Sequence, residues 1–311
     1  MTGSLRVAFL GNDAWSVPAL RALAASEHGL TLVMTAAPKP AGRGNEPTAT
    51  PVAEAARSLG LNLAEVQTVR SGEGLDRLAA AVPDILAVVA YGELLPQSVL
   101  DLPTIAPVNL HFSLLPALRG ASPVQTALLL GLDRSGVTTI VMDRGLDTGP
   151  IIRQREEAIG PRDDAGSLGA RLAAIGAEVL VESAELLASG RAAPRPQDDE
   201  LATFARKLDP RDRVLRWSDP ARSLVNRCRA LAPEPAATTA FRGDRLKVFR
   251  GEAVEGVGEP GSIVSVSKEG IVVATGDGGF RPLDLAPAGR RRMSGADLVN
   301  GLRPLVGERL G

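Results

Sequence analysis

The stretch LRVAFLG, residues 5–11, sets the fold, because it is a short apolar run that ends in glycine and precedes a segment of helical spacing. The alternation continues along the chain: helix-like VPALRALAAS (17–26), strand-like LTLVMTAA (30–37), helix-like PVAEAARSLG (51–60), strand-like ILAVVAYG (85–92) and VNLHF (108–112). Nearly continuous apolar strands that alternate with helices are typical of a parallel sheet covered on both faces. The sequence therefore predicts an α/β fold with a Rossmann-like, mostly parallel sheet in its N-terminal domain.

The pattern changes in the second half of the chain. Residues 164–189 have the spacing of one long amphipathic helix, and GRAAPRPQDDE (190–200) is rich in proline and charge, as linkers are. After the helix-like segment PARSLVNRCRAL (220–231), short alternating segments with glycine turns indicate a small, OB-like β-barrel. We predict a domain at 1–189, a linker at 190–204 and a barrel domain at 205–311.

The composition of the 311 residues is that of an ordinary globular protein, with 44% hydrophobic and 23% charged side chains. We expect no membrane span, because no run of 18 apolar residues occurs, and no signal peptide at the N-terminus. A single cysteine suits the cytoplasm and excludes an internal disulfide. No spacing of His, Cys and Asp suggests a metal site.

The net charge of −1 hides an asymmetry between the two halves. Residues 1–200 have 16 Lys and Arg against 23 Asp and Glu, whereas residues 201–311 have 19 against 13. A C-terminal part with a net charge of +6 favours an anionic partner such as nucleic acid. The charge alone is equally compatible with ordinary scatter over about a hundred residues.

Two polar side chains lie two residues apart in NLHFSLLPALRGASPVQ (109–125). Asn109 and His111, one of two histidines in the chain, should point to the same face at the C-terminal end of a strand. In open α/β sheets, ligands gather at that edge. Taken alone, however, a strand histidine is more often part of the core. The segment GNDAWS after the first strand has too few glycines for a dinucleotide site.

A third polar side chain, Asp147, lies between two glycines in MDRGLDTGPII (142–152). An aspartate there is usually explained by turn formation alone. Together, the amide, imidazole and carboxylate suit acyl transfer to an amine: Asn109 would stabilise an oxyanion, His111 would move a proton and Asp147 would orient the imidazole. No serine or cysteine nucleophile is needed if the amine attacks directly.

These two stretches resemble the signature of the 10-formyltetrahydrofolate-dependent formyltransferases. The likeness extends to VAFLG (7–11), KPAGRG (39–44), VVAYGELLP (88–96), ARKLDPRDRVLRWS (205–218) and NRCRALAPEPAA (226–237). The SLLP-x-x-RGA arrangement, the KPAGRG loop and a basic C-terminal barrel resemble the branch of the family that acts on initiator methionyl-tRNA. The sequence departs from that branch after AGRG, where NEPTAT replaces the usual lysines.

The resemblance implies a function. The chain would transfer the formyl group of 10-formyltetrahydrofolate to the α-amino group of methionine on initiator methionyl-tRNA, for translation initiation, as a monomer without a metal. The alternative is a formyltransferase for a nucleotide-linked amino sugar, which would share the catalytic residues.

The resemblance also implies residue roles. Asn109, His111 and Asp147 would be catalytic, and the folate would contact Ser113, Leu114, Leu115 and Pro116 together with Ala90, Tyr91 and Gly92. The tRNA would contact Arg43 in the KPAGRG loop. Basic residues of the C-terminal part are further candidates for its phosphates, namely Arg206, Lys207, Arg290, Arg291 and Arg292.

Overall fold

The structure is a computed structural model that describes residues 3–41 and 46–311. The strands of the first part of the chain are β1 (Arg6–Gly11), β2 (Gly29–Ala36), β3 (Lys39–Ala41), β4 (Glu46–Thr48), β5 (Leu63–Val66), β6 (Ile85–Val89), β7 (Ala106–His111), β8 (Arg134–Val141) and β9 (Ile151–Ala158). Within the described residues, seven of them form one sheet in the order β5-β2-β1-β6-β7-β8-β9, and β3 pairs with β4 in a separate hairpin.

The large sheet is parallel at its centre. β1 pairs in parallel with both β2 and β6, and β6 pairs in parallel with β7, whereas β8 is antiparallel to both of its neighbours, β7 and β9. The interior strands are buried along nearly their whole length, because helices cover both faces of such a sheet. The predicted mostly parallel α/β sheet is confirmed.

Eight α-helices lie among the described residues. They are α1 (Val17–Ala25), α2 (Pro51–Ser58), α3 (Gly72–Ala80), α4 (Gln97–Leu100), α5 (Pro123–Leu129), α6 (Ala165–Ala188), α7 (Ala221–Leu231) and α8 (Gly295–Leu302). The long helix expected at 164–189 is α6, and the segment expected at 220–231 is α7. Short 3-10 turns occur at Ala14–Ser16, Asp199–Leu201 and Pro210–Arg213. No helix in the described ranges combines the length and apolarity needed to cross a membrane.

The C-terminal part of the chain is an antiparallel sheet. Its strands are β10 (Ala237–Phe241), β11 (Asp244–Val254), β12 (Ile263–Ser267), β13 (Gly270–Ala274), β14 (Gly279–Pro287) and β15 (Met293–Ser294). The order is β10-β11-β14-β13-β12, with β15 on β14. Helix α7 packs on this sheet and buries Leu224 and Cys228 in a core with Phe280. Complete burial raises the pKa of the Cys228 thiol to about 12.

The last residues of the chain join the two edges of this antiparallel sheet. The amide of Ile263, on β12, donates to the carbonyl of Glu308 at 2.8 Å, and the amide of Leu310 donates to Gly261 at 2.8 Å. The amide of Gly311 donates to the carbonyl of Ala240, on β10, at 3.0 Å. An unpaired strand edge is a site of aggregation, and barrel-like closure removes it. The small barrel expected from the short strands and glycine turns takes this form.

The described chain divides into two compact units. The first comprises the residues up to Pro123 together with Arg134–Ala158 and Gly169–Ala205, and the second comprises Val124–Asp133, Ile159–Leu168 and Arg206–Gly311. Residues 190–205 thus belong with the first unit. The domain boundaries drawn from the sequence remain predictions.

Candidate active site

The candidate site lies at the carboxyl ends of the central strands. In the parallel ladders, Gly11 of β1 is paired with Val89 of β6, and Val89 is paired with Leu110 of β7. Residue 12, residues 90–92 and His111 therefore follow one another along a single edge of the sheet. That edge is where open α/β sheets bind their ligands.

The structure brings Asn109, His111 and Asp147 together. The Asn109 amide Nδ2 donates to Asp147 Oδ1 over 3.4 Å, and His111 Nδ1 lies 3.5 Å from Asp147 Oδ2. The His111 side chain is 6% exposed and that of Asp147 is 14% exposed. Because water is largely excluded, electrostatic interactions among the three groups are stronger than they would be at the surface.

A backbone carbonyl determines which nitrogen of His111 carries a proton. Nε2 lies 2.9 Å from the carbonyl oxygen of Leu118, which can only accept a hydrogen bond. Nε2 is therefore the protonated nitrogen of the neutral ring, and Nδ1 has the free lone pair that faces Asp147.

The turn that presents Asp147 is tightly specified. Asp147 has a φ of 56°, in the left-handed region, and its Oδ2 accepts a hydrogen bond from the amide of Gly120 at 2.8 Å. A Cβ on Gly149 would lie 1.7 Å from the carbonyl oxygen of Val141, so glycine is required there. Asp143 closes the turn, since its carboxylate accepts from the Thr148 hydroxyl at 2.6 Å.

The four residues predicted to contact folate in the SLLP segment lie beside His111, and their polar groups are partly used inside the protein. The Ser113 hydroxyl donates to the carbonyl of Ala117 at 2.6 Å, and the Ser113 carbonyl accepts from the Thr138 hydroxyl at 2.6 Å. Leu115 is buried, whereas Leu114 and Pro116 are half-buried. A ligand group that accepts from the Ser113 hydroxyl would therefore compete with an existing hydrogen bond.

The predicted folate contacts Ala90, Tyr91 and Gly92 follow β6 directly. Ala90 and Gly92 have φ values of 44° and 85°, so the backbone turns sharply at the strand end. The Tyr91 side chain is 4% exposed and packs in a core cluster, and burial raises the pKa of its phenol. A ligand at this segment would meet backbone atoms, because the tyrosine ring points into the core.

The residues predicted to contact tRNA differ in whether their charges are paired with acidic side chains. Arg43 lies outside the described residues. Arg206 forms an ion pair with Asp212 and lowers the pKa of that carboxyl to about 2, and Arg292 is paired with Asp284. Lys207, Arg290 and Arg291 are exposed, and none of these three forms an ion pair with a described residue.

Several residues that hold this site together were not identified from the sequence. Asn12, just past β1, donates to the Tyr91 carbonyl and accepts from the amide of Ala36 at 2.8 Å, which ties three strand ends together. Gln197, in the predicted linker, donates to the turn that contains Asp147. The Leu118 group that contacts His111 is a backbone carbonyl, so no residue type in the sequence marks it. Within the described ranges, no group of three or more His, Cys, Asp or Glu residues could hold a metal ion.

Comparison with known proteins places this chain in a family. Residues 5–184 match the Formyl transferase family, and residues 207–303 match the family described as Formyl transferase, C-terminal domain. Together the two matches cover most of the chain, which therefore belongs to the formyl transferase family. The mixed α/β fold is in keeping with that membership.

Relatives with nearly the same length are named methionyl-tRNA formyltransferase. The chain is 38% identical to the one from Solibacter usitatus over 309 residues, 99% of each chain. It is 39% identical to the one from Aromatoleum aromaticum over 305 residues, 98% of this chain and 96% of the relative.

Solved structures share the fold at lower identity. The structure of HypX from Aquifex aeolicus in complex with tetrahydrofolic acid is 16% identical with a TM-score of 0.64, over 98% of this chain and 49% of that one. WlaRD, a sugar 3N-formyl transferase, is 15% identical with a TM-score of 0.65, over 93% of this chain and 100% of that one. At these identities the likeness concerns the fold alone.

Proposed function

We propose that this chain transfers the formyl group of 10-formyltetrahydrofolate to the α-amino group of methionine on initiator methionyl-tRNA. The observation that carries the proposal is the meeting of Asn109, His111 and Asp147 at one end of the parallel sheet. Family membership and full-length relatives named methionyl-tRNA formyltransferase support the identity of the acceptor.

The reaction exchanges one carbon–nitrogen bond for another. The neutral amine attacks the formyl carbon. A bond forms between the amine nitrogen and the formyl carbon, and the bond between the formyl carbon and N10 of the folate breaks. The amine loses one proton and N10 gains one, so that the protein needs only to move a proton and to stabilise a transient oxyanion. A direct attack requires no covalent enzyme intermediate.

Asn109 is the proposed donor to the oxyanion. One of its two N–H groups is directed to Asp147 Oδ1, and this contact orients the amide. The other N–H remains available for the formyl oxygen. A donor fixed in advance stabilises the developing negative charge without reorganisation during the reaction.

His111 and Asp147 act in the proposal as a joint proton acceptor. Nε2 already carries a proton that it donates to Leu118, so an additional proton must go to Nδ1. Asp147 lies against that nitrogen and would stabilise the resulting imidazolium. The amine proton reaches the pair directly or through one water molecule.

The donor site in the proposal consists of the segments next to Asn109, His111 and Asp147. Ser113, Leu114, Leu115 and Pro116 lie on one side of His111, and Ala90, Tyr91 and Gly92 follow the neighbouring strand. A structural relative holds tetrahydrofolic acid, which supports a folate-derived donor for this fold. Gly92 is the exposed residue of the 90–92 turn, and its backbone groups could bond to the polar edge of a pterin ring.

The second unit would hold the acceptor. Lys207, Arg290 and Arg291 are the exposed cations in the predicted set that lack an acidic partner within the described residues, and phosphate contacts from such residues dominate the affinity for nucleic acid. Arg206 and Arg292 would have to exchange a carboxylate for a phosphate. We further propose that the protein acts as a monomer and that it does so in the cytoplasm, which its single cysteine suits.

The test is a competition between acceptors. The full chain is incubated with 10-formyltetrahydrofolate and either charged initiator tRNA or a nucleotide-linked amino sugar. We expect formyl-methionyl-tRNA as the product, with at most trace formylation of the sugar. Efficient transfer to the sugar, or no transfer to the charged tRNA, would refute the proposed acceptor.

A further inference from the structure

A single glutamine links the loop that presents Asp147 to the loop that contacts His111. Gln197 Nε2 donates to the carbonyl of Asp147 at 2.7 Å and to the carbonyl of Gly149 at 2.8 Å. Its Oε1 accepts from Arg119 Nε at 3.0 Å and from Nη2 at 2.8 Å. Both N–H groups and both lone pairs of the amide are thus used, which determines its orientation.

On one side, Gln197 holds the turn of Asp147. Asp147 has left-handed backbone geometry, which a residue with a side chain adopts only when its surroundings enforce it. The Gln197 amide bonds to the carbonyl of that very residue and to the carbonyl two residues further on. Loss of these bonds would free the turn that presents the carboxylate to His111.

On the other side, Gln197 and the residues after it hold the loop that contacts His111. Arg119, which Gln197 accepts from, is 3% exposed. The Thr203 hydroxyl accepts from the amide of Leu118 at 2.9 Å, and the amide of Ala205 donates to the carbonyl of Arg119 at 2.8 Å. We call residues 197–205 the brace, because they bond to both loops.

We propose that Gln197 is a positioning residue for formyl transfer: through the brace it sets the distance between His111 and Asp147. The Leu118 carbonyl that selects the tautomer of His111 and the Asp147 carboxylate that would stabilise its cation both lie on segments bonded to residues 197–205. This inference rests on the proposed function for its kinetic consequence. Its geometric consequence does not depend on the reaction.

The geometric test uses the fact that the chain has two histidines, His28 and His111. In Gln197→Met, which keeps the length of the side chain without its hydrogen bonds, the ring resonances of His111 are compared with those of the wild type by NMR at one pH. We expect them to shift, because displacement of the Asp147 carboxylate changes the surroundings of the ring. The resonances of His28 should not move.

The kinetic test compares the same variant with a matched control. Gln197→Met should lower kcat by roughly 10- to 100-fold, the effect of about 1 Å of misplacement, while KM for both substrates changes less than about threefold. Glu200→Gln is the control, since this exposed side chain in the same segment forms no side-chain hydrogen bond in the described structure. It should retain wild-type kcat.

The outcomes separate the two proposals. An inactive wild type would refute the proposed function, and the NMR comparison would still decide the positioning role. Unchanged His111 ring resonances with a kcat within threefold of wild type would overturn the role of Gln197. If Gln197→Met does not fold, Thr203→Val, which removes the acceptor for Leu118, replaces it in both measurements. If that variant is also unfolded, the brace is only structural and the inference is wrong.

Discussion

Replacement of Asp147 by asparagine tests the core of the proposed mechanism. In the native site, Oδ2 accepts from the amide of Gly120 and faces His111, while Oδ1 accepts from Asn109. An asparagine can meet only part of these demands. If the asparagine oxygen faces Gly120, the asparagine NH₂ group lies against the NH₂ group of Asn109. If the amide is flipped, its NH₂ group lies against the Gly120 N–H instead.

The size of the effect follows from the contact with His111. A hydrogen bond between charged groups contributes about 1.5–3 kcal/mol net. Full charges at the observed 3.5 Å would attract by about 5 kcal/mol at an effective dielectric constant of about 20. Since about 1.4 kcal/mol corresponds to a tenfold change in rate, Asp147→Asn should lower the rate of formyl transfer by about 10- to 10³-fold.

The assay is single-turnover formylation of charged initiator tRNA at saturating 10-formyltetrahydrofolate, which isolates the chemical step from product release. The dissociation constants of both substrates should stay within about threefold of wild type, because Asp147 acts on the proton and not on binding. Asp101→Asn is the matched control, since that exposed carboxylate bonds to Gln97 on a short helix. A folded Asp147→Asn protein with a rate within threefold of wild type would refute the mechanism.

Three further changes test other parts of the molecule. Asn109→Ala should lower kcat by about 10²–10³-fold, the usual cost of one oxyanion donor, and a smaller loss in a single-turnover assay would argue against that role. Arg291→Ala should weaken tRNA binding and reduce the slope of log affinity against log salt by about one unit. Because Arg292 is already paired with Asp284, Arg292→Ala should change that slope less. Equal slopes for the two variants would contradict a phosphate contact of Arg291. Cys228, with its pKa raised to about 12 by burial, should stay protonated and unreactive toward thiol reagents at pH 8 until the second unit unfolds in denaturant, and rapid labelling of the native protein would contradict the packing of α7.

The arrangement on β7 is the part of the site that local sequence determines. In a strand, side chains two apart share a face, so the N-x-H spacing alone places Asn109 and His111 together once the segment is extended. The alternation of strands and helices then places the end of that strand at the edge where ligands bind. The position of Asp147 is specified almost as locally, because its turn requires glycine at 149.

A count of charged residues does not predict which cations of the second unit are paired. The sequence shows 19 cations after residue 200 but not which of them are neutralised. Arg206 and Arg292 are paired with acidic side chains 6 and 8 residues away, whereas Arg290 and Arg291 are exposed without such partners in the described chain. Pairing depends on backbone geometry in a turn and a hairpin, and a count of residue types does not contain it.

The predicted linker shows why residues that support the site, such as Gln197, cannot be predicted from the sequence. Proline and charge in residues 190–200 are typical of an exposed connection, and that composition is indeed present. What ties residues 197–205 to the candidate site is hydrogen bonding to partners 50 and 78 positions earlier, at Asp147 and Arg119. Local patterns contain no information about partners at that separation. The side chains proposed to carry the chemistry can therefore be predicted from their motifs, whereas Gln197 becomes visible only when the two loops and the brace are seen together.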